Sequence, residues 1–309
     1  MPELPECEAQ RRMLERCAVG RVITSLCATE QGTGARAGDF DDKIFDEGAD
    51  AAAVEEALVG RRVAAARRRG KQIWLAFDDG SALLLHLGMT GSCVVLGEAT
   101  PSYKAFQVDQ AWPPKYCKLE VVLDDGGKIA YADPRRFGRL RLRKAGAVEA
   151  SPPISALARD ALSPPPVAAM AAALAARKAP IKAVLLDQGA LVAGVGNWVA
   201  DDVLRAAGLH PATRADALDG AQVAALRGAL VSVCGAAVDA NADASKFPAD
   251  WLFHFRWGKQ TTGSVATPFG RVHFDTIAGR TTAFLPAVQR RTAAAAAPAK
   301  KRRRGGDGP

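Results

Sequence analysis

Pro2 follows Met1 at the head of the chain, and Glu3 and Glu6 lie within one helical turn of it. Proline inside a chain has no amine to offer, but a proline at a chain end is a free secondary amine. Removal of Met1, which the small Pro2 permits, would expose that amine. An α-amino group titrates near ~7.7–8.0, so a fair fraction is unprotonated at neutral pH. Such an amine can attack an electrophilic sugar carbon and form an iminium, which is covalent catalysis. A carboxyl group at Glu3 or Glu6 could protonate a leaving or ring oxygen as general acid. The plainer alternative is an acidic cap on a helix that happens to follow a Met-Pro start.

Four further groups of residues suit contact with an anionic polymer. Arg61-Arg62 and Arg67-Arg68-Arg69-Gly70-Lys71 place six cations and no acid between 61 and 71. They could neutralise phosphates, with Lys71 entering a cleft, or they could form a solvated charged edge strand. His86-Leu87-Gly88-Met89-Thr90-Gly91 sets Met89 between glycines, as core filling or as an apolar wedge at a loop tip. Asp133-Pro134-Arg135-Arg136-Phe137-Gly138 puts an aromatic beside two arginines in a Pro/Gly-bounded loop. That suits insertion into a base stack; the alternative is a turn with solvated arginines and Phe137 in the core. Gly194-Val195-Gly196-Asn197 precedes a helical stretch, so its N–H groups could bind phosphate, with Asn197 as cap. Ala179-Pro180-Ile181-Lys182, with Arg177 and Lys178 before it, opens the preceding helix toward the same partner.

The elements that must carry these groups can be read from periodicity and turn chemistry. Helices are expected over Pro5–Cys17 and Ala51–Leu58, and strands over Val22–Ala28, Gln72–Phe77, Ala82–His86, Gly91–Leu96, Lys118–Leu123, Lys128–Ala132 and Gly138–Arg143. Asp/Gly turns between short strands predict an antiparallel sandwich or barrel. After two proline runs the chain turns Ala/Leu-rich, with helices expected over Ile154–Ala161, Val167–Arg177, Ile181–Asp187, Trp198–Ala207 and Ala221–Ala240. Residues 252–285 return to aromatic and β-branched types and suggest a small β-hairpin element. The fold class is therefore α+β. The expected division is an N-terminal β-sandwich over 1–150, a helical domain over 151–245, a hairpin over 246–289 and a disordered basic tail over 290–309.

Composition fits this division. The 309 residues are 49% hydrophobic and 24% charged, which excludes disorder for most of the chain and excludes collagen-like or disulfide-scaffold classes. The net charge of +8 points to an anionic partner. Residues 290–309 hold seven of the 41 basic residues and one of the 33 acidic ones, so the body is close to neutral. Its positive charge is concentrated instead in 61–71 and 135–144. The six cysteines are scattered with no C-x-x-C, so a reduced intracellular compartment is expected and a zinc finger is not. No run is expected to reach the ~18–20 apolar residues of a bilayer span. The acidic start is unlike a secretory or transit peptide, so the mature chain is expected to begin near residue 1.

Together and in this order, the motifs resemble the formamidopyrimidine-DNA glycosylase family of base-excision repair enzymes. Met1-Pro2-Glu3-Leu4-Pro5-Glu6 is similar to that family's start, and Leu4 rather than glycine is similar to its formamidopyrimidine branch. Asp133–Gly138 resembles its intercalation loop, and Gly194–Asn197 the turn of its helix–two-turns–helix module. The resemblance covers about residues 2–289.

It implies Pro2 as Schiff-base nucleophile, Glu3 as general acid, Glu6 in support, and Lys71 at the phosphate near the lesion, assisting β-elimination. Met89, Arg135 and Phe137 would fill the gap left by a flipped base, beside Arg136. Tyr116, Arg177, Lys182 and Asn197 fall where the family touches DNA. The family's usual zinc finger is missing its cysteines, yet Ile277–Phe284 resembles the finger's hairpin tip, with Arg280 gripping phosphate. This resembles the zincless, plant-type members, as do Asn197-Trp198, Phe247-Pro248 and Trp251.

The implied enzyme is a bifunctional glycosylase and AP lyase without metal or cofactor, acting as a monomer on double-stranded DNA with oxidised bases or abasic sites. The short stretch between Ala240 and Phe253 leaves little room for a loop that caps flipped 8-oxoguanine, so formamidopyrimidines and further-oxidised guanines are expected as better substrates. Two alternatives are an endonuclease VIII-like enzyme for oxidised pyrimidines and a non-catalytic protein that binds damaged DNA. The basic tail suggests the nucleus, with an organelle open.

Overall fold

A computed structural model describes residues 1–32, 35–101, 111–257 and 263–290. The expected tail lies outside these residues apart from Arg290, which pairs with Leu209.

The N-terminal half contains α1 (Leu4–Ala18), β1 (Ile23–Cys27), α2 (Ala51–Leu58), β2 (Val63–Arg69), β3 (Gln72–Phe77), β4 (Ala82–His86), β5 (Ser92–Val95), β6 (Cys117–Leu123), β7 (Lys128–Ala132) and β8 (Arg139–Arg143). The strands form two four-stranded antiparallel sheets, ordered β1-β6-β7-β5 and β2-β3-β4-β8. One core unites them: Ile23, Val121, Ile129 and Tyr131 from the first sheet meet Ile73, Leu75, Leu85 and Leu140 from the second. Met13 and Leu14 of α1 and Val54 and Leu58 of α2 seal its edges. This is the expected sandwich. β2 is the edge strand that the alternative reading of the arginine run foresaw.

The chain continues through α3 (Ala147–Ala150), α4 (Val167–Ala175), α5 (Ile181–Leu186), α6 (Asn197–Ala206) and α7 (Gly220–Asp239). The helix expected over 154–161 is one 3-10 turn, Ile154–Ala156. The backbone there is used otherwise: the carbonyls of Leu157 and Ala158 accept from the Arg69 guanidinium. The α7 helix corrects the expectation about bilayer spans, since its 20 residues have a hydropathy of 1.6 over their best window and are long and apolar enough. In this fold it lays Val223, Leu226, Leu230, Val233 and Cys234 into the helical core.

β9 (Gly263–Thr267), β10 (Gly270–Ile277) and β11 (Arg280–Phe284) form a three-stranded antiparallel sheet with its own small core of Leu252, Val272, Phe274, Ala283 and Leu285. The expected hairpin therefore has a third strand.

One residue ties the halves together. Leu4, the first residue of α1, is fully buried in the helical core rather than in the sandwich core. Its N–H donates to the Gly194 carbonyl at 3.1 Å. The head of the chain is thus threaded between the two units.

Candidate active site and nucleic-acid interface

The N-terminus lies where α1, β3, α6 and the β10–β11 hairpin converge. Pro2 and Glu3 are buried beneath a half-exposed Met1. Glu3 places its two carboxylate oxygens on the N-terminus of α6, accepting from Trp198 N and Val199 N at 3.0 Å each. A helix N-terminus is a ready anion site because its first N–H groups lack partners within the helix. The expectation of phosphate at Gly194–Asn197 is corrected here: the anion seated on α6 belongs to the protein. Gly196 is shaped for it, since a Cβ at this position would sit 2.2 Å from Glu3 Cδ. Nor is Asn197 the cap. It is the first residue of α6, and its Nδ2 donates to the Thr281 carbonyl of β11 at 2.9 Å.

Glu6 is held just as firmly. Oε2 accepts from Glu3 N at 2.9 Å and Oε1 from the Trp198 indole at 3.1 Å. Burial, reinforced by neighbouring Glu3, pushes the Glu6 carboxyl up to about 7. Burial also lowers the terminal amine, against the pull of Glu3 and Glu6. Lys71 is lowered by burial too, with Glu3, Cys7 and Glu6 opposing and Arg280 adding to the shift. These mutual influences place five expected residues, the terminal amine on Met1 standing in for that of Pro2, within one electrostatic neighbourhood. Beside Lys71, burial depresses His86 to about 4, so it is a neutral imidazole at physiological pH. An amine below its usual range and a carboxyl near 7 are suited to nucleophilic attack coupled to proton transfer.

Lys182 departs from its expected role. It is fully buried, bonded to Asp201 at 2.6 Å and Thr282 Oγ1 at 2.8 Å, and cannot reach a DNA backbone. Asp201 also takes the Arg256 guanidinium at 2.9 Å and the Ala283 N–H at 3.0 Å. Its neighbour Asp202 accepts from Leu252 N and Phe253 N. The paired acids of α6 therefore fasten the hairpin and bring Arg280, exposed at the start of β11, to the site. Among the described residues no group of three His, Cys, Asp or Glu could hold a metal.

A second assembly lies on the sandwich. Asp133, fully buried, accepts from Thr90 Oγ1 at 2.7 Å, Gly138 N at 2.7 Å and Arg135 N at 3.2 Å. It clamps the Met89 loop to the 133–138 loop. Gly88 lets the two touch, since its Cβ would lie 2.4 Å from Phe137 C and its φ is +58°. Phe137 is 45% exposed, with the Arg135 guanidinium 5.0 Å and Lys43 Nζ 5.7 Å from its ring centroid. Met89 is half-buried beside it. Phe137 is outside the core, contrary to the alternative that placed it there.

Arg136 is the exception in the loop. It turns inward with φ +56° and makes a two-pronged bond to buried Asp41, at 2.8 Å from both Nε and a terminal nitrogen. Lys118 shares Asp41 and pairs with Glu30. Arg136 therefore anchors the loop instead of contacting DNA. Tyr116, at φ +63°, stands at the base of the loop, where its carbonyl accepts from Asp133 N. Arg177 is not drawn into either assembly; it ends beyond α4, half-buried, with its guanidinium 3.5 Å from the Ala190 carbonyl.

The sequence reading missed Trp198 as a side-chain partner, and also Asp133, Asp201 and Arg256. Two adjacent acids on an otherwise apolar helix face were the available signal for Asp201, because buried acids must find partners.

Comparison with known proteins identifies the family of the chain. Residues 1–140 match the model of the formamidopyrimidine-DNA glycosylase N-terminal domain, and residues 157–249 that of the H2TH domain of the same enzymes. The chain is 37% identical over 293 residues to a formamidopyrimidine-DNA glycosylase of Arabidopsis thaliana, covering 94% of this chain and 71% of that protein. It is 34% identical over 300 residues to one from Paracoccus denitrificans, covering 94% and 100%. The fold is similar to that of the Lactococcus lactis enzyme bound to DNA containing an AP site, with a TM-score of 0.73 at 24% identity over 94% of this chain and all of that one.

Proposed function

The chain belongs to the formamidopyrimidine-DNA glycosylase family, and on that premise we propose that it is a bifunctional DNA glycosylase and AP lyase that removes oxidised purines. The observation that carries this reading is the seating of Glu3 and Glu6 on α6 beside the chain's N-terminus, with Lys71 held against α1 through Cys7 and exposed Arg280 near enough to act on Lys71. The hairpin that carries Arg280 is fastened to α6, and the sandwich presents an exposed aromatic between cations.

Double-stranded DNA carrying an oxidised base or abasic site is the partner. The damaged nucleotide leaves the duplex, at a cost of a few kcal/mol. Phe137, with Arg135 and Met89, fills the space it vacates. After loss of Met1, the Pro2 nitrogen attacks the anomeric carbon, the bond to the base breaks, and the base departs with a proton. The nitrogen lone pair then opens the sugar ring: the C1′–O4′ bond breaks, O4′ takes the proton shed by the amine, and the resulting iminium acidifies the adjacent sugar proton, so that β- then δ-elimination cuts the strand on both sides. Glu3, fixed by α6, lies beside the nucleophile, takes the proton the amine sheds and returns it as general acid, and Glu6 holds an exchangeable proton near neutrality. Lys71 and Arg280 meet the phosphates and assist elimination. The hairpin works as a zincless finger of the plant type, fastened by Asp201 and Asp202 in place of a metal. Formamidopyrimidines and further-oxidised guanines are better substrates than 8-oxoguanine. The protein acts as a monomer, and its basic tail directs it to the nucleus.

Borohydride trapping on abasic DNA tests this directly. The mature chain should form a covalent adduct through its N-terminal residue, and Pro2→Gly should reduce its yield sharply. No adduct from a chain that has lost Met1 would overturn the enzyme reading. Single-turnover rates on matched duplexes test the substrate order, which equal rates for 8-oxoguanine and formamidopyrimidine would overturn.

A further inference from the structure

Trp198 is the second residue of α6 and is 1% exposed. Its ring is boxed by Phe247, Trp251 and Phe253, with centroids at 5.5, 6.1 and 5.0 Å. These three come from the segment after α7, so the indole cannot turn without displacing that segment. Such a box offers the indole N–H no acceptor. The N–H points out of it to Glu6 Oε1, 3.1 Å away. The same residue's backbone N–H holds Glu3 Oε1 at 3.0 Å. One residue therefore grips both carboxyls of the site, one through its backbone and one through its ring.

We propose that Trp198 is a positioning residue for the reaction: its indole N–H fixes the Glu6 carboxyl beside the N-terminal amine and sets its readiness to carry a proton. This rests on the lyase reading above.

Glu6 has two oxygens, and each is met by one N–H donor, Glu3 N on Oε2 and the indole on Oε1. Donors to a carboxylate favour its charged form, against the burial that disfavours it. Glu3, Cys7 and the terminal amine face Glu6 from the head of the chain, Lys71 from the start of β3, and Cys234 from α7. Both thiols are pushed upward by burial, Cys7 to about 12, so they are neutral near pH 7. The other neighbours are Glu3, Lys71 and the terminal amine. Removing the indole donor leaves these in place and withdraws one support of the charged form. The Glu6 midpoint must then rise.

Two NMR measurements test this. In the unmutated chain labelled with 15N-tryptophan, the Trp198 indole signal, assigned by its loss in Trp198→Phe, should move with pH around the Glu6 midpoint. Glu6→Gln should abolish the movement. With 13C-labelled glutamate, Trp198→Phe should raise the Glu6 midpoint by about one pH unit. The adduct-forming rate on abasic DNA at pH 7 should fall about tenfold in the same variant. An indole signal insensitive to Glu6, or an unmoved midpoint, would overturn the proposal. So would a moved midpoint with an unchanged trapping rate. The pH response of the first measurement is itself read on the unmutated chain, the variants serving for assignment and control. Failure of the unmutated chain to trap abasic DNA overturns the lyase reading instead and is read separately.

Discussion

The two basic stretches look alike in sequence and differ in what their charges do. Each holds six cations. In 61–71, Arg68 is 5% exposed and lies between Glu8 and Asp160, with contacts of 2.9 and 2.6 Å. Arg69 donates to two carbonyls of the connecting segment, and Arg61 pairs with Asp79. This stretch straps the sandwich to the helical unit and delivers Lys71 to the cleft. In 135–144, Arg141 and Arg143 pair with Asp46 and Glu47, and Arg136 pairs with Asp41. These bonds brace a loop whose tip, Arg135 and Phe137, faces outward. Most arginines in both runs are scaffolding. The density of positive charge does not show which residues are free to meet an anionic partner; that depends on which ones a carboxylate of the protein claims first.

Substitutions can break this contrast. Arg68→Ala should have the largest effect, because it leaves two partly buried carboxylates facing each other. A loss of about 3 kcal/mol is expected, lowering Tm by roughly 6–12 °C, whereas Arg135→Ala should leave Tm unchanged. Thermal unfolding of the two variants side by side checks this, and equal Tm losses would erase the distinction.

The carboxyl of Glu6 gives a second test, on pH. Its proton is held to about pH 7 in the folded chain against 4.5 for the ordinary group. Its contribution to stability is therefore complete below about pH 4.5 and is lost as pH rises to about 7. Glu6→Gln should flatten the fall in stability between pH 5 and pH 8 by roughly 2–3 kcal/mol, measured by urea unfolding at the two pH values. An unchanged slope would show that Glu6 titrates normally.

Phe137→Ala sharpens the outward half of the comparison. Affinity for a duplex with an abasic gap should fall about ten- to a hundredfold with Tm unchanged, because stacking on an aromatic is worth ~1–3 kcal/mol. The smallest effect is expected at Arg62, whose guanidinium caps the Gly20 carbonyl at the surface. Arg62→Ala should change stability by less than about 0.5 kcal/mol in the same unfolding measurement.

The β-sandwich was legible because alternation and Asp/Gly turns act locally: Gln72–Phe77, Ala82–His86 and Lys128–Ala132 form the strands that their patterns predict. β2 was harder to read, since its buried residues Val63 and Ala66 are three apart across a register shift, not alternating, and three arginines follow them. Of the expected site, the chemistry of the residue types pointed to Pro2, Glu3, Glu6 and Lys71, and the family resemblance added Arg280; the structure brings these near one another. The site was not legible in partnership. Lys182 reads as a surface cation because its neutralising Asp201 is a whole helix away, and Arg136 reads like Arg135 until Asp41 is seen beneath it. Partnership depends on contacts distant in sequence, which periodicity does not encode.

The burial of Leu4 in the helical core has a consequence for timing. The first residues of the chain emerge first, but their seat is built from residues near 194–199, made long afterwards. Until both units are complete and joined, the chain end is solvated, with neither Glu3 nor Glu6 fixed beside it. Under the proposed function, an unfinished or half-melted chain would then carry no armed nucleophile to react with stray sugars and aldehydes, and reactivity would be a readout of finished folding.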